Sequence, residues 1–309
     1  MSPLQFESLL ARAFPESPRE QQNGAPGRWS LCTPQGIEIT SRCDGDWATL
    51  ERPAPRVDEA QDLARQSVWP ATLKCLEAKP SPLLHAEIPL LADTAAERDW
   101  SVRQLQVARA DLLATVPRAS LIHEASEPEG RTASLDDVVS ILSGTGWTTN
   151  GRSDGTYRVD MQVRGTPRSL LLRPEATGVH IESALDTGLA LHASELCRDA
   201  ASVLLTHANA MLRWARGFVR EDHGTLRAAG FELFVAAPVH ASALILAVDT
   251  LAAACEAFAE EVELLLEHSS LAALYLERGG ITHKRGTLHI DAAALRAAPF
   301  YPAAQAALA

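Results

Sequence analysis

Between Tyr157 and Val163 the chain alternates strictly, placing Tyr157, Val159, Met161 and Val163 on one face and Arg158, Asp160 and Gln162 on the other. A period of two with one apolar face specifies a strand of an antiparallel sheet, covered on one side and open to water on the other. Strand-like runs at 168–173 and 179–183 continue it through turns at 164–167 and 175–178, which predicts a three-stranded meander. Ahead of it, 135–142 has helical spacing, capped by Ser134 with Asp137 three residues on, a weaker relative of the capping box. Behind it a long helix is predicted over 191–219 and ends at 222–224. An extended run over 225–236 and an amphipathic helix over 241–266 follow.

The same order occurs earlier in the chain. Leu4, Phe6, Leu9, Leu10 and Ala13 predict a helix over 3–14 that Pro15 stops. Strands at 29–33, 37–41 and 47–51 form a meander whose second turn, at Asp44 and Gly45, is a strong hairpin signal. A helix over 57–77, interrupted at Pro70, an extended run over 83–91 and a helix over 95–116 complete the set. Corresponding positions keep their order while the loops lengthen, with Gly36 and Gly165 129 apart, Gly45 and Gly178 133 apart, and Glu87 and Glu232 145 apart. The expectation is an α+β chain of two tandem units, each a helix, an antiparallel three-stranded meander, a helix, a strand and a helix. The alternative is two generic α+β domains that share an order. The boundaries fall at 1–123 for the first unit, 124–133 for a linker carrying Glu124, Glu127, Pro128, Glu129 and Gly130, 134–277 for the second unit and 278–309 for a tail. In that tail 287–290 alternates like a strand suited to a sheet edge, and 292–298 is helix-prone. A chain of 309 residues, 46% of them hydrophobic, can furnish two cores.

Charge and motifs remove several functions. Lys and Arg number 28 against 39 Asp and Glu, a net charge of −11, which argues against gripping nucleic acid phosphates and favours basic or apolar partner segments. Residues 1–7 lack the basic and apolar regions of a secretory signal, and the apolar window 239–259 is broken by Asp249 and Glu256, so a cytoplasmic chain without a membrane span is predicted. Cys32, Cys43, Cys75, Cys197 and Cys255 form no CxxC pair and are expected to be reduced and mostly buried. Gly144 and Gly146 lack the third glycine and the Lys-Ser/Thr pair of a phosphate loop. Gly151, Ser153 and Gly155 match the string of a nucleophile elbow, but they follow a polar turn at 148–150 and lead into a strand, the reverse of what an elbow needs. The ten histidines include no HExxH, and His283 and His289 lie beside Lys284 and Arg285. Adjacent carboxylates such as Asp136 and Asp137, or Glu260 and Glu261, diverge on a helix. No catalytic, cofactor-binding or metal-ligating residue emerges, so the expectation is a protein that is not an enzyme and takes no cofactor.

Binding features are easier to name. The glutamates 256, 260, 261, 263 and 267 form an acidic helix face. Phe6 and Leu9 on the first helix, Val138 and Leu142 on its counterpart, and Trp214, which fits the apolar stripe of its helix less well than Phe218, are the candidate partner-binding residues. The run at 209–219, with Asn209, Met211, Leu212, Trp214, Phe218 and Val219, is followed by Asp222, by the 232–236 segment that starts at Glu232, and by the helix from Ala241. Together with the repeated element order, these residues resemble the class I type III secretion chaperones and their YbjN-type relatives. The pattern is fuller in the second unit; the interruption at Pro70 and the tail from Gly279 depart from it. The resemblance implies a non-enzymatic module that holds an extended segment of a protein or peptide client. Members of that family are usually homodimers, so two units in one chain imply a monomeric pseudo-dimer. The alternative is a regulatory or scaffold protein that binds a folded partner through the same fold. A deep polar pocket with a perturbed carboxylate or histidine would point to an enzyme instead.

Overall fold

The first helix, α1 (Pro3–Ala13), is fixed at its start by Ser2, whose hydroxyl accepts from the Gln5 N–H at 3.3 Å while Gln5 Oε1 accepts from the Ser2 N–H at 2.9 Å. Phe6, Leu9, Leu10 and Ala13 are buried, whereas Leu4, on the same stripe by spacing, is 79% exposed. The computed structural model describes residues 1–17, 19–21, 27–33, 36–54, 70–76, 82–113, 135–144, 147–151, 155–163, 165–185, 192–222, 225–278, 282–284 and 287–289. The predicted linker at 124–133 and most of the predicted helix at 57–77 lie outside them.

Strands β1 (Arg19–Gln21), β2 (Arg28–Cys32), β3 (Glu38–Asp44), β4 (Trp47–Pro53), β5 (Lys74–Leu76) and β6 (Leu83–Pro89) form one antiparallel sheet in the order β1-β2-β3-β4-β6-β5. Gly45 turns the β3–β4 hairpin at φ +60°, the left-handed conformation that favours glycine. Helix α2 (Ala95–Leu113) starts from a capping box of Thr94 and Glu97 and packs on α1 and β6. Phe6, Leu10, Trp29, Leu31, Ile39, Leu50, Leu84, Ile88, Leu105 and Leu112 close a core between these helices and the sheet.

Helix α3 (Leu135–Gly144) precedes β7 (Thr148–Gly151), β8 (Tyr157–Val163), β9 (Thr166–Glu175) and β10 (Gly178–Ala184). Then come α4 (Glu195–Met211), β11 (Arg216–Asp222), β12 (Thr225–Ala236), α5 (Ala241–Glu267) and α6 (Ser269–Arg278). The second antiparallel sheet, read from its far end, runs β7-β8-β9-β10-β12-β11. It follows the same path as the first: an outer strand, a meander, a last strand beside the meander's end, and a further strand at the inner edge. On β8, Val159, Met161 and Val163 are buried and Arg158, Asp160 and Gln162 exposed, as the alternation requires. Helix α5 is long and apolar enough by composition to cross a membrane, yet half of its most apolar window is buried inside the fold. Its Leu244, Val248, Leu251, Cys255, Phe258 and Val262 line the second core.

The structure departs from the expected elements in several places. The helix expected over 191–219 stops at Met211, and Arg216–Asp222 is a strand. Leu212, Ala215 and Phe218 continue a helical period, but a strand buried on both faces satisfies the same spacing. Gly217 permits it, since a Cβ there would meet Leu205 Cδ2 at 2.7 Å as α4 crosses the strand. The Asn209 amide pins the strand by accepting from Gly217 N–H at 2.6 Å and donating to Gly217 O at 3.3 Å. Lys74–Leu76, expected at the end of a helix, is strand β5, entered through a turn in which Leu73 N–H donates to Pro70 O at 2.9 Å. Thr148–Gly151, expected as a polar turn, is strand β7. In the tail, β13 (Thr282–Lys284) and β14 (Thr287–His289) pair with each other. All five cysteines are free, with Cys75, Cys197 and Cys255 buried and Cys32 exposed.

Candidate functional site

The inner edge strands of the two sheets meet through a reciprocal pair of cations. Lys74, at the start of β5, donates to Glu87 Oε2 at 2.7 Å on neighbouring β6, and also to the Leu212 carbonyl just before β11. Arg216, at the start of β11, donates to Glu232 Oε1 at 2.9 and 2.5 Å on neighbouring β12, and to the Leu73 carbonyl just before β5 at 2.8 Å. Each half therefore supplies a glutamate for its own cation and a carbonyl for the other's. Both cations are buried, at 2% and 1% exposure. Such pairs add little stability over apolar residues of the same size, but removing one partner costs about 3–5 kcal/mol.

Burial and charge oppose each other throughout this surface. Burial pushes the Lys74 ammonium down, against the pull of Glu87. Burial would raise the Glu87 carboxyl, but His85 and Lys74 outweigh it and hold it at about 2. His85 loses proton affinity to burial and regains more from Glu51, 2.8 Å away, and Glu87, 3.7 Å away, so its pKa lies above the ordinary imidazole value.

A second group of contacts comes from α2. Strand β11 pairs with β12 only as far as Glu232, so 233–236 runs past it with one edge uncovered. Gln104 Nε2 donates to Phe234 O at 3.0 Å and Gln104 Oε1 accepts from Ala236 N–H at 2.7 Å, the two bonds that one residue of an added strand would make. Trp100 Nε1 donates to Ala236 O at 3.1 Å. Ala71, Phe234 and Ala236, with Val107 against them, form a small apolar cluster at this junction.

His180, Glu182 and Glu232 bring three possible ligand atoms within 4.8 Å of one another, all buried. Their surroundings do not suit a cation. Glu232 accepts from Arg216 and from Arg220 at 2.7 Å and lies 2.8 Å from His180 Nε2; Glu182 accepts from Arg173 at 2.6 Å and Arg220 at 2.7 Å. Three guanidinium groups thus face two carboxylates, and burial of Glu232 is overridden by Arg216, His180 and Arg220, which keep it well below the usual carboxylate range. Glu232, held ionised, is a poor proton carrier, and carboxylates already bonded to guanidinium groups are poor ligands. The arrangement is a structural ion network that reaches water through Arg173, 41% exposed, and Arg220, 32% exposed. A concavity of about 590 Å³ lies elsewhere, at the first sheet, lined by Arg28, Glu38, Thr40, Glu51, Arg52 and Leu83.

The five residues singled out for partner binding are all buried: Phe6 and Leu142 at 0%, Val138 at 1%, Leu9 and Trp214 at 3%. Phe6 stacks edge-on against Trp29 in the first core, and Val138 and Leu142 belong to the second. Trp214, which fits the apolar stripe of its predicted helix less well than Phe218, packs edge-on against Trp100 of the first half with ring centroids 6.1 Å apart. Only Trp214 reaches the contact between the halves. Lys74, Gln104 and Arg216 went unmarked in the sequence and Trp100 stood only on the apolar side of its predicted helix, although Glu87 and Glu232, the carboxylate partners of Lys74 and Arg216, stood at matching places in the two element series. No family model matches the chain, and no curated protein or solved structure does either.

Proposed function

We propose that this chain is a non-enzymatic protein-binding module of the secretion-chaperone type, in which two tandem units take the place of a homodimer and hold an extended segment of a client protein. The observation that carries the reading is the shared strand path of the two sheets together with their reciprocal contact through Lys74 and Arg216. A homodimer would place equivalent groups across a two-fold axis in this way. The ion network at Glu182 and Glu232 supports a binding role over a catalytic one, because its carboxylates are already committed to arginine.

Among the described residues, β1 and β7 have a sheet neighbour on one side only. An extended client segment adds to such an edge through main-chain hydrogen bonds, with side-chain pockets setting selectivity. The test is a pull-down from lysate with proteolytic mapping of what is retained, alongside light-scattering mass of the bait. The expected result is a monomer that retains one partner through a segment unstructured in the free partner, with retention reduced at least tenfold by Asn150→Pro in β7. Retention of folded proteins alone transfers the reading to a scaffold, and retention of nothing removes it.

A further inference from the structure

Four consecutive residues between α4 and β11 carry an unusual load. Leu212 O accepts from Lys74, and Arg213 pairs with Asp44 at 2.9 Å and lies over the Trp47 ring, 5.5 Å from its centroid. Trp214 packs on Trp100, and Ala215 N–H donates to Arg213 O at 2.6 Å, closing a three-residue turn around Trp214. Trp214 takes φ +58°, and among the described residues it is the one non-glycine with positive φ. A turn of this kind is strained for any residue with a Cβ, most of all for a bulky one. The Trp214 indole N–H is also buried and meets no acceptor. Two unfavourable features on one side chain persist only where the surroundings over-determine them. From the second half, Asn209 ties Gly217 across the turn; from the first half, Asp44, Trp47, Lys74 and Trp100 close on it.

We infer that the turn at 212–215 is a latch: a strained conformer of the second half, held by the first half, that relaxes to an ordinary backbone conformation and frees the Trp214 indole when those contacts are withdrawn. Its outer arm is open to solvent, since Asp44 and Arg213 are 60% and 47% exposed. Its inner arm, Lys74 and Trp100, is buried. The turn joins α4 to β11, so its release is felt at both. The inference needs only the contact between the halves and stands apart from the client reading.

The test is the backbone conformation of residue 214 in the full chain, read from its HN–Hα coupling and its Cα and Cβ chemical shifts, with the exchange rate of the indole N–H beside it. The wild-type protein should show the left-handed signature. Lys74→Met, which keeps the apolar stem and removes the bond to Leu212 O, should move residue 214 to negative φ and raise indole exchange at least tenfold. If Lys74→Met does not fold, the surface variant Asp44→Lys with Trp47→Leu decides alone, with the same readouts. A left-handed residue 214 that persists in the folded variant, or a wild-type residue 214 already at negative φ, overturns the latch.

Discussion

His85 is flanked by Glu51 on β4 and Glu87 on its own strand, with Lys74 directly opposite on β5. Its folded pKa is raised above the ordinary 6.5 because the two carboxylates outweigh the burial that works against them. The stability it contributes is full below about pH 6.5 and is lost as pH rises through the folded value. Urea titrations between pH 5 and 9 should therefore show an alkaline decline that His85→Gln flattens. Glu87 works in the opposite sense. Its carboxyl lies at about 2 rather than 4.5, so its contribution is present above about pH 4.5 and disappears as pH falls towards 2. A shift of that size corresponds to roughly 3 kcal/mol at neutral pH. The acid limb of the wild-type stability curve should be correspondingly steep, and Glu87→Gln should be less stable at neutral pH while losing part of that slope.

At the level of elements, two glycines with different surroundings predict different costs. A Cβ on Gly230 would lie 2.1 Å from the Ser183 carbonyl oxygen across the β10–β12 pairing, where neither backbone can yield. Gly230→Ala should cost about 3 kcal/mol or more in chemical denaturation. A Cβ on Gly45 meets open space, so Gly45→Ala carries only the conformational penalty of its φ, roughly 1–2 kcal/mol. Elements with a single periodicity were legible in the sequence: β8 by its alternation, β12 by its extended run, α1 by its apolar stripe and the Pro15 stop, α5 by its amphipathic spacing. Those that were not legible have specific causes. Strand β11 is buried on both faces over 216–219 and keeps the helical rhythm of α4 before it, while β5 is three residues long and β7 is polar. The inner ends of the sheets were hidden for the same reason, since charged and amide side chains such as Arg216 and Gln104 read as surface until their partners are known.

For the whole molecule, the contact between the halves decides how it unfolds. Trp100 belongs to an element of the first half but is part of the second core, and Gln104 completes the uncovered edge of β12. Neither half keeps its full set of partners without the other, so heat or denaturant should produce one transition, with far-ultraviolet circular dichroism and tryptophan fluorescence coinciding. Trp100→Ala, which removes a ring shared by both halves, should separate the two signals or lower the unfolding free energy by an amount typical of a buried aromatic, about 3–5 kcal/mol. The reciprocal arms are built from different chemistry, an amine at 74 and a guanidinium at 216. The chain has only three lysines, Lys74, Lys79 and Lys284. An acylating reagent that reacts with amines and spares guanidinium groups therefore finds one arm of the contact and never the other, and the mass gained at Lys74 against time becomes a clock for how often the halves part.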